Sequence, residues 1–175
     1  MSAGDFAITS DHCYELGEDG LASWPEPHAG AWIGLLETHK RLTRELDREL
    51  EGNHCLTLSA LEVLSRLAAA ERHRMRVSAL ATACGLSVSR ISRIVDALQR
   101  RGLVERCPLE TDARAVEGCL SDTGLELVRR AQETHFASVQ RLFFERLTEQ
   151  EIALLAEIFS RFAPGAAGEC GGPAS

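Results

Sequence analysis

One short segment, residues 87–93, concentrates the side chains best suited to binding another polar molecule. It reads Ser-Val-Ser-Arg-Ile-Ser-Arg, and its polar members are Ser87, Ser89, Arg90, Ser92 and Arg93. Serine hydroxyls hydrogen bond phosphates or base edges, and an arginine can hold a guanine through two parallel hydrogen bonds. The chemistry is recognition of a nucleic acid, unless these residues only form a solvated helix face whose serines act as caps.

The sequence around this segment predicts a helix-turn-helix. Ser78 is expected to cap a short first helix, and Gly85 suits the left-handed position that ends it. Ser87 is expected to cap a second helix, which Gly102 ends. Apolar residues of the second helix recur at steps of three, four and three, which predicts one buried stripe: Val88, Ile91, Val95 and Leu98. In such motifs the first half of the second helix enters the major groove of DNA.

Two short strands, residues 103–107 and 116–120, are expected after the second helix, around a loop at 108–114. Residues 76–77 can supply a third strand against them. This order predicts a winged helix-turn-helix. Asp96, on the polar face of the second helix, is expected to orient Arg100, one turn further along.

The charge of the chain is unevenly distributed. The net charge is −7, and the first 30 residues contain six acids and no lysine or arginine. Residues 76–106, in contrast, contain six arginines and two acids. Because the local charge governs binding in a DNA groove, the acidic total does not exclude nucleic acid as a partner.

From about residue 31 to about residue 162, the chain resembles the MarR family of winged helix-turn-helix transcription regulators. The matching motifs are LA at 80–81, LSVSRISRIVDAL at 86–98, RGLVER at 101–106, D-x-R-A at 112–115 and L-S-x-x-G at 120–124. The D-x-R motif at this distance from G-L-V-x-R is more specific than a helix-turn-helix pattern alone.

The resemblance implies a role for each end of the DNA-binding region. It implies that the second helix reads double-stranded DNA, that Arg114 at the wing tip reaches the minor groove, and that Asp112 holds the shape of the wing. It also implies a repressor that responds to a small aromatic or phenolic effector. Trp32, His39 and His54 are candidates for lining an effector cleft, and none is assigned to it.

Apolar stripes at both ends of the chain predict a homodimer. One long helix is expected from about residue 29 to 51, another from 121 or 122 to about 146, and a third after a capping box formed by Thr148 and Glu151. The simplest way to cover the stripes is a two-fold dimer, as the resemblance also implies, and the alternative is an intramolecular bundle. Two copies of the reading helix then predict an imperfect inverted repeat as the DNA target.

These expectations define a mainly α protein with three regions. Residues 1–28 are expected to form an acidic, partly disordered extension, residues 29–163 the winged helix-turn-helix with its dimerisation helices, and residues 164–175 a disordered tail. The DNA-binding core is expected at residues 57–120. A further capping box, formed by Ser59 and Glu62, is expected to begin the helix before the helix-turn-helix.

The remaining residues favour few other classes of protein. No phosphate-binding loop, nucleophile elbow or H-E-x-x-H motif is present, so we expect neither enzyme activity nor a cofactor. No segment predicts a membrane span or a signal peptide, so the chain is expected to be cytoplasmic. Histidines at the spacing of a zinc site are absent.

The six cysteines are expected to be free thiols, since none belongs to a C-x-x-C pair. A redox-responsive regulator of the same fold remains an alternative. A second alternative is a winged-helix module that binds a protein and has lost DNA binding. The acidic net charge, Ala113 and the Glu117-Gly118 pair favour this alternative slightly, whereas the arginines on the second helix favour DNA binding.

Overall fold

The computed structural model describes residues 14–109 and 112–162, and the side chains of all these residues except 108–109 and 112–116. The chain divides into two compact units, Met1–Arg44 and Glu45–Ser175. The predicted tail at 164–175 and the first 13 residues of the predicted extension lie outside the described residues. The predicted mainly α fold with a winged helix-turn-helix is confirmed.

The first unit contains a short two-stranded ribbon and the beginning of a long helix. Strand β1 (Glu15–Leu16) pairs antiparallel with β2 (Ala22–Ser23). Helix α1 (His28–His54) follows, and the Trp32 ring meets the ring of Trp24 edge to face, with 6.3 Å between centroids. Both indoles remain about half exposed.

The remaining helices and strands belong to the second unit. The further α-helices among the described residues are α2 (Leu58–Ala69), α3 (Val77–Ala83), α4 (Val88–Arg100), α5 (Asp122–Leu142) and α6 (Glu149–Ser160). The strands are β3 (Arg74–Arg76), β4 (Val104–Leu109) and β5 (Asp112–Leu120), and β5 lies between the other two. Their core is apolar, and its fully buried side chains include Leu50, Leu56, Leu64, Leu67, Leu80, Ile91, Val95, Leu98, Val104 and Val128.

Four of the predicted helix ends are confirmed. The Ser87 hydroxyl accepts a hydrogen bond from the Arg90 amide, and Thr148 forms its capping box with Glu151. Gly85 and Gly102 have φ of +61° and +69°, a region that favours glycine.

Two predicted caps are wrong. Helix α3 begins at Val77 without a side-chain cap, so Ser78 lies inside its first turn. Helix α2 begins two residues earlier than predicted, because Thr57 accepts the Ala60 amide and the Asp47 carboxylate accepts the Leu58 amide at 2.6 Å. The Ser59 hydroxyl therefore does not cap α2 and is available to a partner elsewhere in the chain.

The predicted wing loop is shorter than expected, since β4 and β5 continue to Leu109 and from Asp112. Their register shifts between Pro108, which faces Val116, and Leu109, which faces Asp112. Three residues of β5, 113–115, fall within this irregularity, which resembles an enlarged β-bulge.

Helix α5 also ends earlier than predicted. Phe143 leaves the helical region with φ −125° and ψ −64°, and a 3-10 turn at Phe144–Arg146 follows. Near its start, the Ser121 hydroxyl accepts the Gly124 amide and donates to the Gly102 carbonyl. Helix α5 is thereby joined to the chain that leaves α4.

A polar network joins α5 to the end of α1. The Glu49 carboxylate accepts hydrogen bonds from the Ser138 hydroxyl and the Arg141 guanidinium, and His54 Nε2 lies 2.8 Å from the Thr134 hydroxyl. The hydrogen bond from Ser138, followed by the one from Arg141, lowers the pKa of Glu49 below its ordinary value of 4.5. Ser138 is itself buried, so this contact lies within the packed interface of the two helices.

Replacing Gly124 by alanine is expected to lower the free energy of unfolding by about 2–3 kcal/mol. A Cβ at Gly124 would overlap the Leu103 carbonyl oxygen and lie 2.7 Å from Leu120 Cδ1, so backbone must move. The matched control is Gly52→Ala in α1, where nothing lies within 4 Å of the added carbon and a small stabilisation is expected. Denaturant unfolding of both variants tests the prediction, which fails if Gly124→Ala is as stable as the control.

Replacing Glu49 by glutamine is expected to cost about 1 kcal/mol near neutral pH, because two hydrogen bonds to a carboxylate are weakened. The lowered pKa means that Glu49 contributes stability above pH 4.5 and loses it as the pH falls below this value. The difference between wild type and variant should therefore shrink from pH 7 to pH 3 in thermal unfolding.

The control for this experiment is Glu133→Gln, at an exposed position of the same helix as Ser138. Among the described residues Glu133 makes no hydrogen bond or ion pair, so its substitution should give no comparable change with pH. A difference for Glu49→Gln that is constant over the whole pH range would contradict the assigned role.

Candidate nucleic-acid interface

The first turn and a half of α4 present an exposed polar surface. Ser87, Ser89, Arg90 and Arg93 are exposed, and Ser92 is half-buried. The opposite side of the helix is locked into the core by Ile91, Val95 and Leu98, which are at most 2% exposed. The structure therefore brings together all five predicted residues of the second helix on or beside one surface.

The electrostatics of this surface favour an anion. The amino end of a helix carries a partial positive charge, and the Arg90 and Arg93 side chains add full charges to it. Arg93 makes no hydrogen bond or ion pair with any residue that the structure describes. Its guanidinium is thus available for two parallel hydrogen bonds to a partner outside the chain.

Arg90 has a second contact that the sequence did not indicate. Its Nη2 lies 3.4 Å from the Ser59 hydroxyl at the start of α2. The distance is long for a hydrogen bond and the group is exposed, so the contact restrains the side chain only weakly. Arg90 therefore belongs to the exposed polar surface of α4 and also lines a groove of about 590 Å³ between α4 and residues 51–60.

Val88 was predicted to belong to the buried stripe, and this prediction is wrong. Its side chain is 52% exposed, although the other three members of the stripe are buried. The reason is its place in the first turn of α4, where the helix projects beyond the core that covers Ile91. Sequence periodicity assigned Val88 to the interior, and only its position directly after the cap at Ser87 indicated a role at the surface.

The prediction that Asp96 orients Arg100 is also wrong. Its carboxylate accepts hydrogen bonds from Nε and Nη2 of Arg106 at 3.2 and 2.8 Å. Arg106 also reaches the Ser92 carbonyl at 3.5 Å. Because Arg106 lies on β4, this pair joins the base of the wing to the middle of α4.

Asp112 and Arg114 both lie on β5, whereas the sequence placed them in a loop. Asp112 faces Leu109 in the register, and Arg114 lies within the register irregularity at 113–115. Their side chains lie outside the described part of the structure. Their backbone belongs to the wing, as predicted, and the predicted roles of their side chains remain predictions.

The prediction of free thiols is wrong for two cysteines. Cys107 and Cys119 are joined by a disulfide, with 6.4 Å between their Cα atoms. In the register, Cys107 faces Glu117 and Glu105 faces Cys119, so the two cysteines are diagonal neighbours on one face of the β4–β5 pair. Twelve positions separate them in sequence, and only the strand register reveals the pairing.

Cys55 and Cys84 are free thiols, as predicted. Cys55 is exposed at the end of α1. Cys84 is half-buried, and burial, followed by the nearby Glu62 carboxylate, raises the pKa of its thiol. A raised pKa disfavours the reactive thiolate, so Cys84 is not suited to sensing oxidants.

The candidates for effector binding have different surroundings. Trp32 and His39 are exposed on the first half of α1, and His54 is half-buried against Thr134 on α5. On α5, burial lowers the pKa of the His135 imidazole.

Within the described residues, no group of three or more histidine, cysteine or acidic side chains is arranged to hold a metal ion. No helix in this part of the chain combines the length and apolarity needed to cross a bilayer.

Comparison with known proteins decides the family. Residues 56–115, which include α2, the helix-turn-helix, β4 and the start of β5, match the MarR family model. AbsC, a MarR family transcriptional regulator from Streptomyces coelicolor, is 33% identical over 83% of this chain and 99% of its own, with a TM-score of 0.74. The chain belongs to the MarR family. The resemblance inferred from the motifs is thus confirmed.

Other MarR structures support the same fold. Sco3205, a MarR family transcriptional regulator from Streptomyces coelicolor in complex with DNA, is 30% identical over 81% of this chain and 93% of its own, with a TM-score of 0.75. A mutant MarR from E. coli complexed with operator DNA is 22% identical over 79% and 95% of the two chains, with a TM-score of 0.67, and this likeness concerns the fold alone. None of the curated protein sequences matches this MarR-family chain.

Proposed function

We propose that this protein is a homodimeric repressor that binds an imperfect inverted repeat in double-stranded DNA and is released by a small aromatic or phenolic effector. The observation that carries the proposal is the exposed surface of α4, on which Ser89, Arg90 and Arg93 project from a helix whose other side is buried. Sco3205, crystallised in complex with DNA, supports DNA as the partner. A regulator of this kind acts in the cytoplasm, where the chromosome lies.

The major groove is the site for the first half of α4. Arg93 is positioned to hold a guanine, because its guanidinium is exposed and has no partner among the described residues. Val88 adds an apolar contact suited to the methyl group of a thymine. Ser89 can bond a phosphate or a base edge, whereas the Ser87 hydroxyl is engaged as the helix cap.

The wing is proposed to act through charge. Arg114 enters a neighbouring minor groove, whose negative potential is enhanced where it is narrow. Asp112, two residues earlier, holds the backbone of the wing. The pair between Asp96 and Arg106 supports this arrangement, because it fastens the base of β4 to the reading helix.

Exposed apolar side chains support the homodimer. The largest of them on α1, α5 and α6 and just after α6 are Trp32, Ile33, Leu35, Leu36, Phe136, Leu154, Phe159 and Phe162. Large exposed apolar side chains on terminal helices are typical of an interface between subunits. A two-fold dimer covers them and presents two copies of α4, whose half-sites lie about 10 base pairs apart.

Comparing Arg93→Ala with Arg114→Ala tests the proposal. Arg93→Ala should weaken binding to the operator by roughly 1–3 kcal/mol and affect random DNA much less, because a base contact is lost. Arg114→Ala should weaken both DNAs by similar factors and reduce the slope of log affinity against log salt by about 0.9. The measurement is the affinity of each variant for both DNAs over a salt series, with sedimentation to show two chains per operator.

The operator for this test is recovered by selecting random DNA with the wild-type protein. Equal losses for both variants on both DNAs would contradict the division between helix and wing. If wild type selects no sequence and neither variant changes the affinity, the DNA-binding proposal fails and the protein-binding alternative replaces it.

The disulfide between Cys107 and Cys119 favours a second candidate, a redox-responsive regulator of the same fold. A hydroperoxide would oxidise one thiolate to a sulfenic acid and leave as water or an alcohol. The second thiol would then displace the hydroxyl group as water and form the disulfide. Because disulfides are rare in the cytosol, the pair would be reduced under ordinary conditions, and oxidation would cross-link the two strands of the wing.

A double variant, Cys107→Ser with Cys119→Ser, tests this candidate. Wild type should lose two titratable thiols on treatment with peroxide and change its operator affinity several-fold, and a reducing agent should reverse both effects. The double variant should show neither change. Cys55→Ser with Cys84→Ser is the matched control and should respond as wild type does, whereas an undiminished response of the double variant would exclude the pair as the sensor.

A further inference from the structure

Arg101, at the C-cap of the reading helix α4, contacts the far end of another helix. Its Nη1 donates a hydrogen bond to the Cys55 carbonyl at 2.6 Å, and its Nη2 donates to the His54 carbonyl at 3.0 Å. These partners lie 46 and 47 positions earlier in sequence. The guanidinium thus bridges the carboxyl end of α4 and the carboxyl end of α1.

The end of α1 is built to accept such a group. Cys55 has φ +52°, which reverses the chain, and the Leu56 amide donates back to the Leu50 carbonyl at 3.4 Å. The last carbonyls of a helix have no partner within it and carry its negative partial charge. The two nitrogens of an arginine fork can satisfy two of these oxygens at once, which a single ammonium group does less well.

The same end of α1 is held on another side by α5. His54 contacts Thr134, and Glu49 contacts both Ser138 and Arg141. A displacement of α1 or α5 would therefore move the His54 and Cys55 carbonyls, which accept hydrogen bonds from Arg101. At the end of α4, the Gly102 amide donates a hydrogen bond to the Gln99 carbonyl, and the Leu103 amide donates one to the Leu98 carbonyl. These hydrogen bonds fix the backbone that carries Arg101.

We infer that Arg101 is a positioning residue that sets the orientation of α4 relative to the end of α1. In a dimer assembled through the terminal helices, this orientation determines the separation of the two reading helices. Arg101 then controls which spacing of half-sites the protein accepts. The inference rests on the proposed dimer and its inverted repeat.

A direct contact between Arg101 and a DNA phosphate is the alternative, and its signature differs. Removing a phosphate contact reduces the salt dependence of binding on all DNA by a slope of about 0.9. Removing a positioning contact leaves the number of neutralised phosphates unchanged, so the salt slope is retained and the tolerance for altered spacing rises.

The experiment uses the full chain with Arg101→Gln and Arg101→Lys, and Arg100→Gln as the matched control. Arg100 is the exposed neighbour with the same charge, and it makes no hydrogen bond or ion pair among the described residues. The probes are the operator selected by wild type, versions with one base pair inserted or removed between the half-sites, and random DNA. Thermal unfolding of each variant accompanies the affinity measurements over a salt series.

Arg101→Gln should bind the operator on the order of tenfold more weakly than wild type, the effect of losing charge-assisted hydrogen bonds. It should discriminate less against the altered spacings and keep the wild-type salt slope. Arg101→Lys should have an operator affinity between those of wild type and Arg101→Gln, because its ammonium group keeps the charge but cannot make two parallel hydrogen bonds. Arg100→Gln should keep the wild-type preference for spacing.

Three outcomes would overturn the inference. A wild-type spacing preference in Arg101→Gln would show that the fork does not orient α4, although operator binding would stand. A flattened salt slope would identify a phosphate contact. If both Arg101 variants failed to fold, Arg101 would be a residue required for stability. If wild type itself selected no operator, the proposed function would fail first, so the two failures are distinguishable.

Discussion

The exposed polar surface of α4 depends on the burial of the opposite side of the same helix. Ile91, Val95 and Leu98 are covered by α2, α3 and the first residues of β4, and burying three such side chains stabilises the fold by several kcal/mol, at about 1.5–3 kcal/mol each. Because that side is fixed, the rotation of the helix about its own axis is fixed too. The direction in which Arg93 and Ser89 project follows from packing and needs no support from their own polar groups.

Polar contacts at helix ends add what the apolar core cannot specify. Apolar packing is not directional, so it restrains the sliding of one helix end past another only weakly. Hydrogen bonds have definite geometry, and in this chain they join α4 to β4 through Asp96 and Arg106, and α4 to α1 through Arg101. Helix α4 is thereby connected both to β4 of the wing and to the carboxyl end of α1.

Local signals in the sequence predicted much of this architecture. The turn at Gly85, the cap at Ser87 and the stop at Gly102 each depend on one residue type in one backbone conformation. Such signals are independent of the rest of the fold, so they could be recognised in a single sequence. The side-chain types on the exposed surface of α4 were predictable for the same reason, since they lie within two turns of that cap.

Features that depend on distant residues were not predictable. The partner of Asp96 is ten positions away, and the neighbour of Cys107 is determined by the register of two strands. Val88 satisfied the helical period but lies beyond the edge of the core, because periodicity gives a direction and not the extent of what covers it. The contacts of Arg101 cross 46 positions, and no pattern within α4 indicates them.

The exposure of Val88, Ser89 and Arg93 has a consequence for how this protein can change over evolutionary time. Substitutions at surface positions away from packed or bonded groups usually alter stability by no more than about 0.5 kcal/mol. New side chains at these three positions can therefore be tried, by mutation or by design, with little risk of unfolding the protein. Under the proposed binding of DNA by α4, the DNA sequence preference is free to diverge between paralogues while the packing of the helices stays the same.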